Sequence, residues 1–158
     1  MKKKIILLIS SYAIVFVLGF GLGIYILPIL TAPKSVDIDR IIKFEENALY
    51  KTSFVKDLKG SDLFHWGEAD VSVSKNEITV NGSIAPGPDY KLYLTKEFVE
   101  EEEEFLSIKD NSRYVAEVKT FKNFVITISE DIDINDYNTI VIWCESFNEF
   151  ITAAKYKL

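Results

Sequence analysis

Two side chains that occur only once in this chain have the chemistry to act at a site, namely Cys144 and His65. Cys144 ends the apolar run TIVIWC, and His65 lies in the segment LFHWGE, just before Gly67. Together they could form a nucleophile and its base, or two ligands of a metal or haem. Free cysteines are also among the most buried residue types, and a lone histidine is often only a hydrogen-bonded structural residue. Both interpretations are open from the residues alone.

Counting ligands excludes several cofactors. One cysteine cannot supply a c-type haem motif or an iron–sulfur cluster, and one histidine cannot complete a blue-copper site. The only methionine is Met1, so a His–Met haem is excluded too. No nucleotide-binding glycine fingerprint is present. The cofactor is unknown from sequence, and haem stays compatible through one axial ligand, the His65–Cys144 pair, or a site shared by two chains.

Thiol chemistry at Cys144 would need help from outside the chain. A disulfide within the chain is excluded, so reversible oxidation would need a partner thiol, a second copy or a sulfenic acid. The neighbouring Glu145 should raise the pKa of the thiol, which counts against a reactive thiolate.

Aromatic residues near the two candidates could contribute to a pocket. Trp66, Trp143, Tyr90 and Tyr93 could line a ligand site or relay electrons, although aromatic strand residues more often pack in the core. We take Trp66, Trp143 and Tyr90, with His65, as candidate cofactor-binding residues and expect no metal site.

The N-terminus predicts a membrane anchor. No charged residue occurs between Lys4 and Lys34, a gap of 29 residues, and about 20 apolar residues suffice to span a bilayer. The segment is longer than the apolar part of a signal peptide, and Leu30-Thr31-Ala32 before Pro33 is a poor cleavage site. We therefore expect an uncleaved signal-anchor. The pair Gly19 and Gly23 could form a helix-packing face that supports a homodimer.

Charge predicts the orientation and restricts the partners. Lys2, Lys3 and Lys4 favour a cytoplasmic N-terminus, which places the rest of this single-pass protein in the periplasm or outside the cell. All 24 acidic residues follow Asp37 or stand at it, against 15 bases (18 minus the first 3). This acidic body should repel nucleic acid and anionic lipid, so a basic partner is the more natural electrostatic match.

The body of the chain predicts an all-β fold. Isoleucines at near-helical spacing after Ser35 and Asp37 predict a short linker helix within 35–50. From Thr52 onward apolar residues alternate with a period of two, in about seven or eight short segments separated by turn residues. We expect an antiparallel β-sandwich with TIVIWC as a central strand. The predicted divisions are 1–33 for the cytoplasmic stub and anchor, 34–51 for the linker, and 52–158 for the sandwich.

Five consecutive glutamates, Glu100 to Glu104, interrupt this pattern. A calcium site would need carboxylates at staggered positions, so the run predicts a solvated loop instead.

The sequence resembles the DM13 family over nearly its whole length. The resembling pieces occur in the family's order and are DLKGSDLFHWGEADVSV (57–73), APGPDYKLYL (85–94), VKTFKNFVI (118–126) and YNTIVIWCESFNEFITAA (137–154). The segment GFGLGIYILPILTAP also looks like the anchor of membrane-tethered bacterial members. The resemblance implies a β-sandwich related to DOMON modules and a role in electron transfer, with Cys144 as the redox residue and His65 matching the family's histidine. It also implies a redox protein as the partner.

Two functions therefore compete. The first is a membrane-tethered extracytoplasmic electron-transfer domain that uses Cys144, with a haem near His65. The second is a non-catalytic binding or assembly module in which Cys144 is only core packing. A Cys–His hydrolase ranks last, because nothing in the sequence indicates an oxyanion-stabilising turn. We expect an electron-transfer or binding module rather than a self-contained enzyme.

Overall fold

The first element is a long apolar helix. The structure, a computed structural model, describes residues 2–158, and α1 spans Lys2–Thr31. Its length and composition are sufficient to cross a membrane, which is compatible with an anchor or a signal sequence. None of its residues is buried in the protein.

The predicted linker helix is confirmed as α2, Ile38–Glu45. Asp37 precedes its first turn with extended backbone, and Ile41 is the residue that it buries. The backbone N–H of Val36 donates to the carbonyl of Asn123 at 2.8 Å. The linker is therefore attached to the side of the domain before the first strand begins.

The predicted antiparallel β-sandwich is confirmed, with eight strands in two four-stranded sheets. One sheet has the order β1-β2-β3-β6, from Tyr50–Phe54, Gly67–Val73, Glu77–Ile84 and Lys122–Thr127. The other has the order β5-β4-β7-β8, from Arg113–Val118, Tyr90–Thr95, Thr139–Cys144 and Glu149–Lys155. All the strand pairs are antiparallel. Strand β7 is central, as predicted, and every one of its residues is buried.

Two hydrophobic clusters cover the two faces of the second sheet. The larger cluster fills the space between the sheets and includes Ile140, Ile142 and Cys144 of β7. The smaller cluster lies on the outer face and includes the alternate residues Val141 and Trp143. Because successive side chains of a strand point to opposite faces, β7 supplies both clusters.

The glutamate run does not form the solvated loop that the sequence predicted. Glu102, Glu103 and Glu104 form the first turn of α3, Glu102–Ile108. Phe105 follows them and is fully buried against Trp143, with ring centroids 4.9 Å apart. Carboxylates in a first turn suit the helix dipole, and Lys59 pairs with Glu104 at 2.7 Å. The helix forms because Phe105 covers the outer face of the sheet.

A β-bulge in β3 requires a glycine. Gly82 has φ +146°, and a Cβ placed there would lie 2.4 Å from the carbonyl oxygen of Glu68. The β3–β6 register shifts between Val80 and Ser83, and the Gly82 N–H donates to the Asn123 side chain at 2.9 Å.

We expect Gly82→Ala to lower the free energy of unfolding by more than about 1 kcal/mol, because the side chain adds both backbone strain and a clash. Thermal unfolding followed by circular dichroism measures this change. Gly19→Ala is the matched control, since nothing lies within 4 Å of its added Cβ. Equal melting temperatures for the two variants would contradict the prediction.

Candidate functional site

Cys144 lies at the end of β7 and points between the two sheets. Its side chain is 2% exposed and belongs to the larger hydrophobic cluster. The residue opposite it on β4 is Tyr90, and the residue opposite it on β8 is Glu149. The thiol is therefore buried, but it lies at the last rung of the ladder, where the sandwich opens.

A cavity of about 690 Å³ adjoins the sulfur-bearing side chain at this end. Its walls are mainly apolar, and its volume falls in the range of cofactor and small-molecule sites. Cys144, His65 and Tyr90 line it together. Three residues that the sequence predicted for one site thus share one cavity, although the loop before β2, strand β4 and strand β7 are far apart along the chain.

The two tryptophans lie elsewhere. Trp143 points to the outer face of the sheet, where it is fully buried beneath α3 and its Nε1 has no hydrogen-bond partner within residues 2–158. Trp66 is half-buried, and the Lys56 ammonium lies 4.4 Å from its ring centroid. Neither indole lines the cavity beside Cys144.

Two hydrogen-bonded loops form the rim of the cavity. The Glu145 N–H donates to the Asp89 carbonyl at 3.0 Å, and the Ser146 hydroxyl donates to the Asp89 carboxylate at 2.7 Å. The preceding glycine, Gly87, is required because a Cβ there would lie 2.4 Å from the Tyr90 ring. The segment PGPD therefore seats the Tyr90 ring and attaches the β3–β4 loop to the turn after Cys144.

His65 is held by a neighbouring carboxylate. Its Nδ1 lies 3.0 Å from Asp62 Oδ2, and the backbone N–H groups of Phe64 and His65 donate to Asp62 Oδ1. Although partial burial opposes the shift, these bonds and the imidazole hold the pKa of Asp62 below its ordinary value. The ionised carboxylate can only accept a hydrogen bond, so Nδ1 donates and Nε2 is the remaining ring nitrogen for a ligand.

Glu149 is a cavity residue that the sequence analysis missed. Burial raises the pKa of its carboxyl, as does a hydrogen bond with Glu102, while His65 acts in the opposite direction. The sequence feature that could have identified Glu149 is the short turn between the strand segments TIVIWC and FITAAKY. A hairpin across that turn places Glu149 directly opposite Cys144.

The Cys144 thiol is kept protonated mainly by burial. Desolvation raises its pKa, and the Asp89 charge acts in the same direction, while nearby backbone N–H groups partly oppose both. The direction agrees with the expectation from sequence, but the cause differs. The Glu145 carboxylate is turned to the outer face, where it binds Lys109 Nζ at 2.7 Å and the Tyr93 hydroxyl.

The few polar side chains that line the cavity favour a ligand held by few polar contacts with the protein. Within residues 2–158, no cluster of three or more His, Cys, Asp or Glu side chains could hold a metal ion. The apolar wall with one oriented imidazole is compatible with a haem or another apolar redox group held by His65, and Cys144 would have to lose its proton to act as a ligand.

Comparison with protein families matches the chain over residues 54–156 to the family described as "Electron transfer DM13". The chain belongs to the DM13 family. No curated protein and no solved structure matches it. The match to DM13 begins at the last residue of β1 and ends just after β8, so it covers the other seven strands and every cavity residue outside α1.

We expect alkylation of Cys144 by iodoacetamide to be slow at pH 7 and to keep accelerating beyond the ordinary thiol pKa, because the neutral thiol is the stable form in the fold. Mass spectrometry of the full chain over a pH series measures the rate. The chain unfolded in guanidinium is the control and should show the ordinary midpoint. A folded midpoint below that of the unfolded chain would contradict the prediction.

We expect Asp89→Asn to lower the free energy of unfolding by about 1 kcal/mol at pH 7, since it weakens charge-assisted bonds to Ser146 and Lys91. These bonds lower the pKa of Asp89 below 3.8. The stabilisation is therefore complete above that pH and disappears as pH falls through the folded pKa. Denaturant titrations between pH 7 and 2 test this, with exposed Asp57→Asn as control; a difference that stays undiminished down to the lowest pH would count against it.

Proposed function

We propose that this protein is a membrane-tethered electron-transfer module whose redox site is the cavity bounded by Cys144, His65 and Tyr90. Membership of the DM13 family supports the electron-transfer role. The observation that carries the location of the site is that the only cysteine and the only histidine line one apolar cavity. The two residues are far apart along the chain, so only the fold brings them to the same cavity.

In this proposal the residues have different tasks. His65, oriented by Asp62, offers Nε2 to the bound redox group, which makes it the first candidate ligand. Cys144 contributes a neutral, polarisable wall and becomes a ligand only on losing its proton. Tyr90 contributes a phenol whose pKa is raised by burial and which therefore stays a hydrogen-bond donor.

The location in the cell is part of the proposal. Helix α1 serves as a single-pass anchor, and the three lysines at its start favour a cytoplasmic N-terminus. The DM13 domain then lies on the periplasmic or extracellular side, where a redox protein partner reaches it.

The division into anchor 1–33, linker 34–51 and sandwich 52–158 belongs to the same proposal. A homodimer through Gly19 and Gly23 would leave the cavity intact, since neither glycine lines it.

The burial of Cys144 favours one alternative. A cysteine that is 2% exposed within a hydrophobic cluster is what a non-catalytic binding or assembly module would contain. In that module the cavity would hold no redox group, and the thiol would contribute only to packing.

The test compares the full-length chain, purified in detergent, with Cys144→Ala and His65→Gln. Absorption spectra and redox titrations of the oxidised and reduced proteins are recorded. We expect His65→Gln to remove the redox group or shift its midpoint potential, and Cys144→Ala to shift it by a smaller amount.

Val141→Ala is the matched control, because Val141 belongs to the same strand but faces away from the cavity. It should cost about 2 kcal/mol of stability and leave the redox signal unchanged. If all three variants differ from wild type only in stability, the assembly module is correct instead.

A further inference from the structure

The cavity beside Cys144 is closed on one side by the apolar helix. One face of α1 lines it, from Val17 through Gly21 to Tyr25, with a spacing of four residues that brings these positions to one side of a helix. Tyr25 contacts Phe64 of the rim edge-on, with ring centroids 6.1 Å apart. The cavity therefore opens between the sandwich and the segment expected to lie in the membrane.

The surface of the domain that faces α1 changes from apolar to charged along the helix. Beside Val17–Tyr25 it presents the rim aromatics Phe64 and Phe147, which are 56% and 51% exposed. Beside Thr31 and the two residues that follow, a second hollow is lined by charged residues, including Asp89, Lys91, Glu117 and Lys119. An apolar zone followed by a charged zone is the pattern of a surface that crosses from lipid into a polar interface.

The position along α1 agrees with this pattern. With Lys4 at one boundary, Val17 lies about 20 Å and Tyr25 about 32 Å along the helix axis, at about 1.5 Å per residue. A hydrocarbon core is about 30 Å thick. The segment that lines the cavity thus belongs to the leaflet farther from the lysines, and the rim aromatics lie at the same level.

The polar groups inside the cavity distinguish between apolar ligands. A lipid acyl chain has nothing to bond to His65, Tyr90 or Glu149. A quinone head group has two carbonyl oxygens that accept hydrogen bonds, and its reduced form has two hydroxyl donors. The Tyr90 hydroxyl can donate to the first form. The His65 ring can accept from the second form through Nε2 in the tautomer whose Nδ1–H donates to Asp62.

We propose that the cavity binds a membrane-dissolved isoprenoid quinone, which enters from the outer leaflet between α1 and the rim aromatics Phe64 and Phe147. The head group lies beside Tyr90, His65 and Cys144, and the tail leaves along the face of α1 that contains Gly21. This inference rests on the proposed electron-transfer function and names the redox group of the same site.

The test measures quinone and phospholipid bound per chain. Full-length protein is extracted in mild detergent from bacterial membranes that contain quinone, and its lipids are quantified by chromatography. Protein in quinone-free nanodiscs then receives decylubiquinone, and native mass spectrometry counts the bound molecules. Decanol, which has the same tail length without the ring, is the tail control.

We expect about one quinone per wild-type chain and none of the decanol. Tyr90→Phe should weaken binding about 5- to 10-fold by removing one hydrogen bond. Phe64→Asp and Phe147→Asp should each lower it at least 10-fold by placing a charge at the entrance. Phe64 and Phe147 are both exposed, so the melting temperatures of these variants by circular dichroism should match that of the wild type. If one aspartate variant does not fold, the other still tests the entrance. Leu106→Asp on α3, at 49% exposure, is the matched control and should bind normally.

The outcomes separate this inference from the proposed function. Phospholipid alone, equal binding of decanol, or normal binding by both aspartate variants overturns the quinone site. Haem in place of quinone also overturns it but leaves the electron-transfer function standing. If the chain holds no redox group and Cys144→Ala changes no redox signal, both proposals fail.

Discussion

Burial of β7 on both faces is the constraint on which the rest of the structure depends. A strand between two hydrophobic layers must send alternate side chains to opposite sides. Trp143 goes to the outer face, where α3 has to exist to cover it, and Cys144 goes to the interior. This one alternation explains three features. Helix α3 forms where an acidic loop was expected, Trp143 lies away from the cavity, and the Cys144 thiol lies beside it.

The end of β7 is also where the sandwich opens, and the loops there are held together by polar bonds rather than by the core. Asp89 links the β3–β4 loop to the turn after Cys144 through Glu145 and Ser146. Burial keeps the thiol protonated, so the chemistry of this end depends on whatever the cavity binds. A site of this kind suits a redox group that is bound and oriented by the protein, and suits a thiol nucleophile poorly.

The quinone proposal joins the two parts of the chain that the sequence presented separately. An apolar helix was expected to serve as a membrane anchor, yet its C-terminal half forms one wall of the cavity. A domain whose redox site opens onto the bilayer would exchange electrons between a lipid-dissolved carrier and a protein at its polar surface. That division of surfaces agrees with the acidic body of the domain and the apolar rim around Phe64 and Phe147.

The sequence predicted what depends on local periodicity. The uncharged stretch after Lys4 predicted α1, the alternation of apolar residues predicted the strands, and the doubly apolar TIVIWC predicted the central strand. The loop prediction for the glutamate run was wrong because it rested on the charges alone. Phe105 after the run is buried against Trp143, which lies 38 positions later in the chain, and local sequence does not show that contact. Glu149 was missed since its position in the cavity depends on hairpin register.

By itself, the sequence determined which groups are available: one thiol, one imidazole, an apolar helix and a β domain. Only the tertiary structure decided that His65 and Cys144 line the same cavity, that Trp143 does not, and that α1 forms one wall of it. The physical reason is that strand periodicity and hydrophobic length are properties of neighbouring residues. The meeting of the His65 loop with β4 and β7 at one end of the sandwich depends instead on strand pairing and sheet packing between segments distant in sequence.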